Sequence, residues 1–232
     1  MLTHEQYQRY QNDGYVIIPG LLNREETAHF RDTAREDLRR QAEAGETMRK
    51  GDKAGNTTLL KMWYEAADDV YGYVARDERL VNVARQIIGK DTYLYSHKMT
   101  MKEPREGGAW EWHQDYGYWY QNGVLEPLLT SVFIAVDPST RANGCLQVVA
   151  NSHHCGRITH VLTGDQAGAD RERVAAVLKR TERFPLVHVE MAPGDALFFH
   201  PNLLHRSDQN TSDHPRWAMI CCYNAARNDP YK

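Results

Sequence analysis

The chain has 232 residues, 41% hydrophobic and 25% charged, with a formal net charge of −3. That length suits a single β-rich domain over residues 1–232 with a sizeable core. The scattered Lys and Arg leave no basic face for nucleic acid or an anionic membrane, and no apolar run approaches a membrane span. The first six residues lack a basic region followed by an apolar stretch, so no secretory signal is expected. Cys145, Cys155, Cys221 and Cys222 have no Cys-x-x-Cys spacing and read as free thiols in a reducing cytoplasm.

In chain order, Asn23 caps a predicted helix from Arg24 to Gln41, with Ala28, Phe30, Ala34 and Leu38 as its apolar stripe. Met48–Thr57 is polar and glycine-containing, which predicts a mobile loop with the makings of a lid. Glu78 to Ile88 predicts a second helix ended near Gly89. From Thr92 the character changes to short β-type runs. These are Tyr93–Met101, Thr130–Val136, Leu146–Val149, Pro185–Met191, Ala196–His200 and Trp217–Tyr223. Turns fall at Pro104–Gly108, Asn143-Gly144 and Pro193-Gly194-Asp195, and one helical insert spans Asp170 to Arg180. Helices first and strands after predict an α+β chain whose core is a sandwich or jelly roll.

The densest chemical signal is Trp110-Glu111-Trp112-His113-Gln114-Asp115-Tyr116. In an extended segment His113 and Asp115 share a face, where an imidazole and a carboxylate can hold adjacent positions on one metal ion. Alone this is weak: with eleven histidines, a chance His-x-Asp is expected on the order of once per chain. Its commonplace reading is a surface ion pair. A second histidine from Gly194–Ser207 would complete a two-histidine, one-carboxylate triad, which leaves positions open on iron for a cosubstrate and O₂. His205 is favoured over His200, because Arg216 is spaced from it; His200 then serves as a supporting or core histidine.

Arg216 opens an otherwise apolar strand. A buried guanidinium needs an anion, and its planar fork matches a carboxylate such as one end of 2-oxoglutarate. The competing reading pairs it with Asp208 or Asp213. His188 and Glu190 also fit a His-x-carboxylate pattern, but they lie opposite the apolar Val187, Val189 and Met191 and read as a solvated face. His153, His154 and His160 fit no standard zinc spacing and read as polar loop residues.

Taken together, His113-Gln114-Asp115, Asn143-Gly144-Cys145-Leu146, Asn151-Ser152-His153 and Gly194-Asp195 through His205-Arg206-Ser207 to Arg216 resemble the phytanoyl-CoA dioxygenase family, which includes ectoine hydroxylase. The resemblance spans about residues 4 to 225. It implies a double-stranded β-helix, a cupin-like jelly roll flanked by N-terminal helices. It implies Fe(II) on His113, Asp115 and His205, and 2-oxoglutarate held by Arg216 and Ser207. Thr100 is implied at the other end of the cosubstrate and Phe133 as an aromatic wall beside it. Lys98, Tyr116 and Trp119 are implied to face a small-molecule substrate. With O₂, such an enzyme hydroxylates a C–H bond and releases succinate and CO₂. An Asp at position 115, rather than Ala or Gly, argues against halogenation; desaturation and ring closure use the same oxidant and stay open. The chain departs from the name-giving enzyme in being short and lacking a basic patch for the phosphates of coenzyme A. The alternative is a cupin-like isomerase or hydrolase that uses the triad without 2-oxoglutarate. A monomer or homodimer is expected.

Overall fold

The computed structural model describes residues 1–163 and 166–232. Thr3 caps α1 (His4–Asp13) through a reciprocal capping box with Gln6, and Gly14, with φ 83°, ends it in the left-handed conformation. Strand β1 (Tyr15–Ile18) follows. Asn23 caps α2 (Arg24–Glu43), which buries Phe30, Ala34 and Leu38 as the stripe predicts, with Thr27 rather than Ala28 as its first member.

The polar segment expected as a loop is instead a hairpin of β2 (Met48–Gly51) and β3 (Thr57–Trp63). The turn chemistry explains the difference. The Asp52 carboxylate accepts amide bonds from Ala54 and Asn56, both at 2.9 Å, so a side chain closes the turn that glycine alone suggested was loose.

Helices α3 (Val70–Ala75) and α4 (Glu78–Ile88) precede the long strand β4 (Thr92–Lys102). Next come β5 (Trp110–His113), α5 (Asp115–Gln121), β6 (Leu129–Ala135) and β7 (Leu146–Val149). A 3₁₀ turn (Ser152–Cys155) leads to β8 (His160–Thr163), β9 (Gln166–Ala169) and α6 (Arg171–Leu178). The chain closes with β10 (Leu186–Val189), β11 (Ala196–Phe199), β12 (His205–Ser207) and β13 (Arg216–Ala225).

Two antiparallel sheets make the jelly roll, in the orders β1-β11-β6-β13-β4-β3-β2 and β10-β7-β12-β5. The outer face of the larger sheet packs on the helices. Met99, Met101, Val132, Ile134, Trp217 and Met219 meet Phe30, Leu38, Leu80 and Val83 there. Its inner face turns toward the smaller sheet, with Phe133, Leu197 and Phe199 against Leu146 and Val148. The alternation of β-strands thus assigns each residue of β4, β6 and β13 to one of two environments. The smaller sheet brings β5 and β12 side by side with His205 opposite His113, which sets the site. Among the described residues no helix is long and apolar enough to cross a membrane.

Candidate metal centre

His113 ends β5 and Asp115 begins α5. The two side chains do not share a strand face as the spacing predicts; a strand-to-helix turn at Gln114 brings them together. His205 comes from β12, and its ring lies 4.0 Å from that of His113, centroid to centroid. The two Nε2 atoms stand 3.8 and 3.9 Å from Asp115 Oδ1. Among the described residues this is the one group of three His, Cys, Asp or Glu side chains whose ligand atoms lie within 4.8 Å of one another.

The protonation pattern fits a metal. Each histidine places Nδ1 on a backbone carbonyl, His113 on Glu111 at 2.8 Å and His205 on Leu203 at 2.9 Å. A carbonyl only accepts, so Nδ1 carries the proton and the Nε2 lone pair faces Asp115. Burial, with His205 as the next cause, holds His113 well below the usual histidine range, and burial also lowers His205. Both rings are neutral donors. Ser131 Oγ donates to Asp115 Oδ2 at 2.5 Å and fixes the carboxylate's rotamer.

A cavity of about 400 Å³ opens onto this triad. At its inner end Arg216 is buried, and its guanidinium lies 5.5 Å from the Phe133 ring centroid. Neither carboxylate that the sequence offered is its partner. Asp213 pairs with Arg105 at 2.8 Å, and Asp208 pairs with Arg206 at 3.5 Å. Arg216 Nε has no hydrogen-bond partner, and burial pushes the guanidinium's pKa down to about 10. Lys102, 1% exposed, stands directly across the sheet from Arg216. Its Nζ donates to Ser207 Oγ at 2.9 Å and to the Asp208 carbonyl. Burial and then the Arg216 charge lower its pKa. Among the described residues no carboxylate pairs with Arg216, and Lys102 stands beside it, so this end of the cavity is suited to an anion.

Thr100, Phe133, Ser207, Lys98 and Trp119 all line the cavity. Tyr116 does not. Its hydroxyl donates to the Leu125 carbonyl and its ring packs with Val124 and Leu129. The reason is the helix: once Asp115 opens α5, the inward face runs Asp115, Tyr118, Trp119, Asn122, the three- and four-residue spacing of a helical stripe. Tyr118, rather than Tyr116, lines the cavity. Lys102 was also missed, although it shares a strand face with Lys98 and Thr100. His200 lies outside the triad. Its ring sits 5.1 Å from His153, and Nδ1 accepts the Asn202 amide at 3.0 Å. His160, read from sequence as a loop residue, is a 5%-exposed strand residue behind the metal-ligand turn.

The family profile for phytanoyl-CoA dioxygenase (PhyH) matches residues 10–218. The L-proline trans-4-hydroxylase of Streptomyces griseoviridis is 29% identical over 240 residues, covering 96% of this chain and 86% of that protein. The ectoine dioxygenase of Stutzerimonas stutzeri is 26% identical over 241 residues, covering 98% and 78%. The crystal structure of EctD from S. alaskensis with 2-oxoglutarate and 5-hydroxyectoine superposes with a TM-score of 0.82 at 23% identity, covering 100% of this chain and 79% of that one.

Proposed function

Because the chain belongs to the phytanoyl-CoA dioxygenase family, we propose that it is an Fe(II)- and 2-oxoglutarate-dependent dioxygenase that hydroxylates a C–H bond of a small molecule. The reaction consumes 2-oxoglutarate, O₂ and substrate and yields succinate, CO₂ and the alcohol. One observation carries this reading: two neutral histidines and Asp115 share a cavity with a buried arginine that has no anionic partner among the described residues.

The residues fit the absent groups. His113, Asp115 and His205 would hold iron on one face, and Arg216, with Lys102 and Ser207 beside it, would clamp the far carboxylate of 2-oxoglutarate. Iron in such a site supplies the O₂ chemistry that couples decarboxylation of the keto acid to C–H oxidation. The chain's own part is placement. Ser131 orients Asp115, Phe133 walls the cosubstrate end, and the apolar sheet face behind it excludes water.

The cavity favours a small substrate, since about 400 Å³ serves cosubstrate and substrate together. Tyr95, Tyr118 and Trp119 supply its aromatic walls and Lys98 an ammonium group. A compact molecule with an apolar body and an anionic group suits this lining. L-proline and ectoine, the substrates named for two relatives, are the first compounds to try.

The test is succinate release from 2-oxoglutarate with Fe(II), ascorbate and air, in wild type and His205→Ala. Succinate made by the wild type and lost in the variant supports both the cosubstrate and the third ligand. An iron-loaded wild type that neither releases succinate nor binds 2-oxoglutarate would return the chain to the cupin-like isomerase or hydrolase class.

A further inference from the structure

Gln114 lies between two metal ligands and is fully buried, and each of its hydrogen-bonding groups is engaged. Its side-chain amide donates to the carbonyls of Gly156 at 2.9 Å and Asn202 at 2.7 Å. Its side-chain oxygen accepts the Ile158 amide at 2.6 Å. Its own carbonyl accepts the Gly117 amide at 3.0 Å. The remaining group, the backbone N–H, meets a side chain instead of backbone: it donates to His160 Nε2 at 2.9 Å.

His160 is built to accept that proton. Its Nδ1 lies 2.9 Å from the Ile158 carbonyl, so Nδ1 carries the hydrogen and Nε2 presents a lone pair. Its ring packs 5.5 Å from Tyr118 and rests on Gly117, where an added Cβ would fall 2.1 Å from the imidazole. His160 does not line the cavity.

We propose that His160 is a positioning residue: as a hydrogen-bond acceptor for the Gln114 amide it fixes the peptide joining His113 to Asp115, and with it the angle at which the two ligands meet iron. The inference rests on the metal site proposed above. Two ligands separated by one residue can share an ion only if that residue's backbone is held, and of the bonds to Gln114 the one from His160 alone fixes its backbone N–H, on the peptide shared with His113. Gly117 is the matching device on the helix side, since any side chain there would push the imidazole off the amide.

The experiment is anaerobic titration of the apoprotein with Fe(II), and with Co(II) followed by its visible d–d absorption, without 2-oxoglutarate. Binding by the wild type and its loss in His205→Ala test the metal site itself. The ratios among three further variants test the inference. His160→Phe keeps the ring but removes the acceptor, and is expected to weaken metal binding roughly 10- to 100-fold, the range for groups that orient ligands. His160→Gln, whose side-chain oxygen reaches the same amide, is expected to recover most of that loss. Gly117→Ala leaves His160 in the sequence but displaces it, and is expected to behave like His160→Phe, which keeps the test open should the latter fold poorly. Wild-type affinity in His160→Phe or in Gly117→Ala would overturn the proposal. So would equal loss in His160→Phe and His160→Gln, which would reduce His160 to a packing residue.

Discussion

The two faces of the seven-stranded sheet are made by the same strands and obey opposite rules. On the helix side of β4 and β13, Met99, Met101, Trp217 and Met219 are buried in one apolar cluster. On the cavity side, one residue along in each case, stand Lys98, Thr100, Lys102 and Arg216. One face stabilises the fold by removing apolar surface from water. The other keeps buried charge at a cost to the fold, a cost that the carboxylate of the proposed cosubstrate would offset. The period of two lets a single strand do both without compromise.

The comparison breaks first at the metal. Asp115→Ala or His205→Ala on the inner side should abolish turnover and metal binding, checked by succinate release and metal analysis of the purified protein. Either variant that kept full turnover would remove that residue from the metal.

Arg216→Met separates the two faces most sharply. The KM for 2-oxoglutarate should rise at least about 30-fold, equivalent to about 2 kcal/mol. The apoprotein should at the same time become more stable, by about 1–4 kcal/mol in urea unfolding, because an unpaired buried charge is replaced by apolar volume. A destabilised variant would mean that the guanidinium has an internal role in the fold.

Met219→Ala, on the helix side and fully buried, should do the reverse. Unfolding free energy should fall by roughly 2–5 kcal/mol, with the KM for 2-oxoglutarate unchanged.

The smallest effect concerns acid. Burial pushes His200 down to about 3, below the usual value near 6.5 in the unfolded chain. Below pH 6.5 the unfolded state takes up a proton that the folded state refuses, so stability present above that pH is lost as pH falls toward 3. At pH 5 this amounts to about 2 kcal/mol. His200→Asn should therefore show a shallower fall in urea stability between pH 7 and pH 5 than the wild type.

The parts legible in the sequence were those with local spacing. His113 and Asp115 are two residues apart, His205 and Ser207 share a strand face, and Arg216 interrupts an apolar run. The missing parts depended on contacts distant in sequence. Lys102 draws no notice in the sequence until β13 places Arg216 opposite it. His160 reads as a loop residue until β8 carries it behind Gln114. Tyr116 was expected at the substrate only from the family resemblance; a helix begins at Asp115 and turns Tyr116 off the cavity face, which local spacing did not reveal. The hairpin was missed because its first strand, Met48–Gly51, is short and polar. Its order comes from neighbours: Asp52 accepts the Ala109 amide at 2.8 Å, and Gln166 donates to the Gly51 and Ala109 carbonyls at 3.0 Å each.

That hairpin also determines where the larger sheet stops. A sheet whose outermost strand exposes free amides and carbonyls invites a strand from another molecule. Here the outer strand on one side, β2, is four residues long and carries Arg49 and Lys50 in its middle. The outer strand on the other side, β1, is equally short and runs straight into Pro19, which has no amide hydrogen to offer. Like-charged borders at one end and a proline at the other discourage copies of the chain from joining edge to edge, so a β-rich protein of this size resists polymerising through its own sheet.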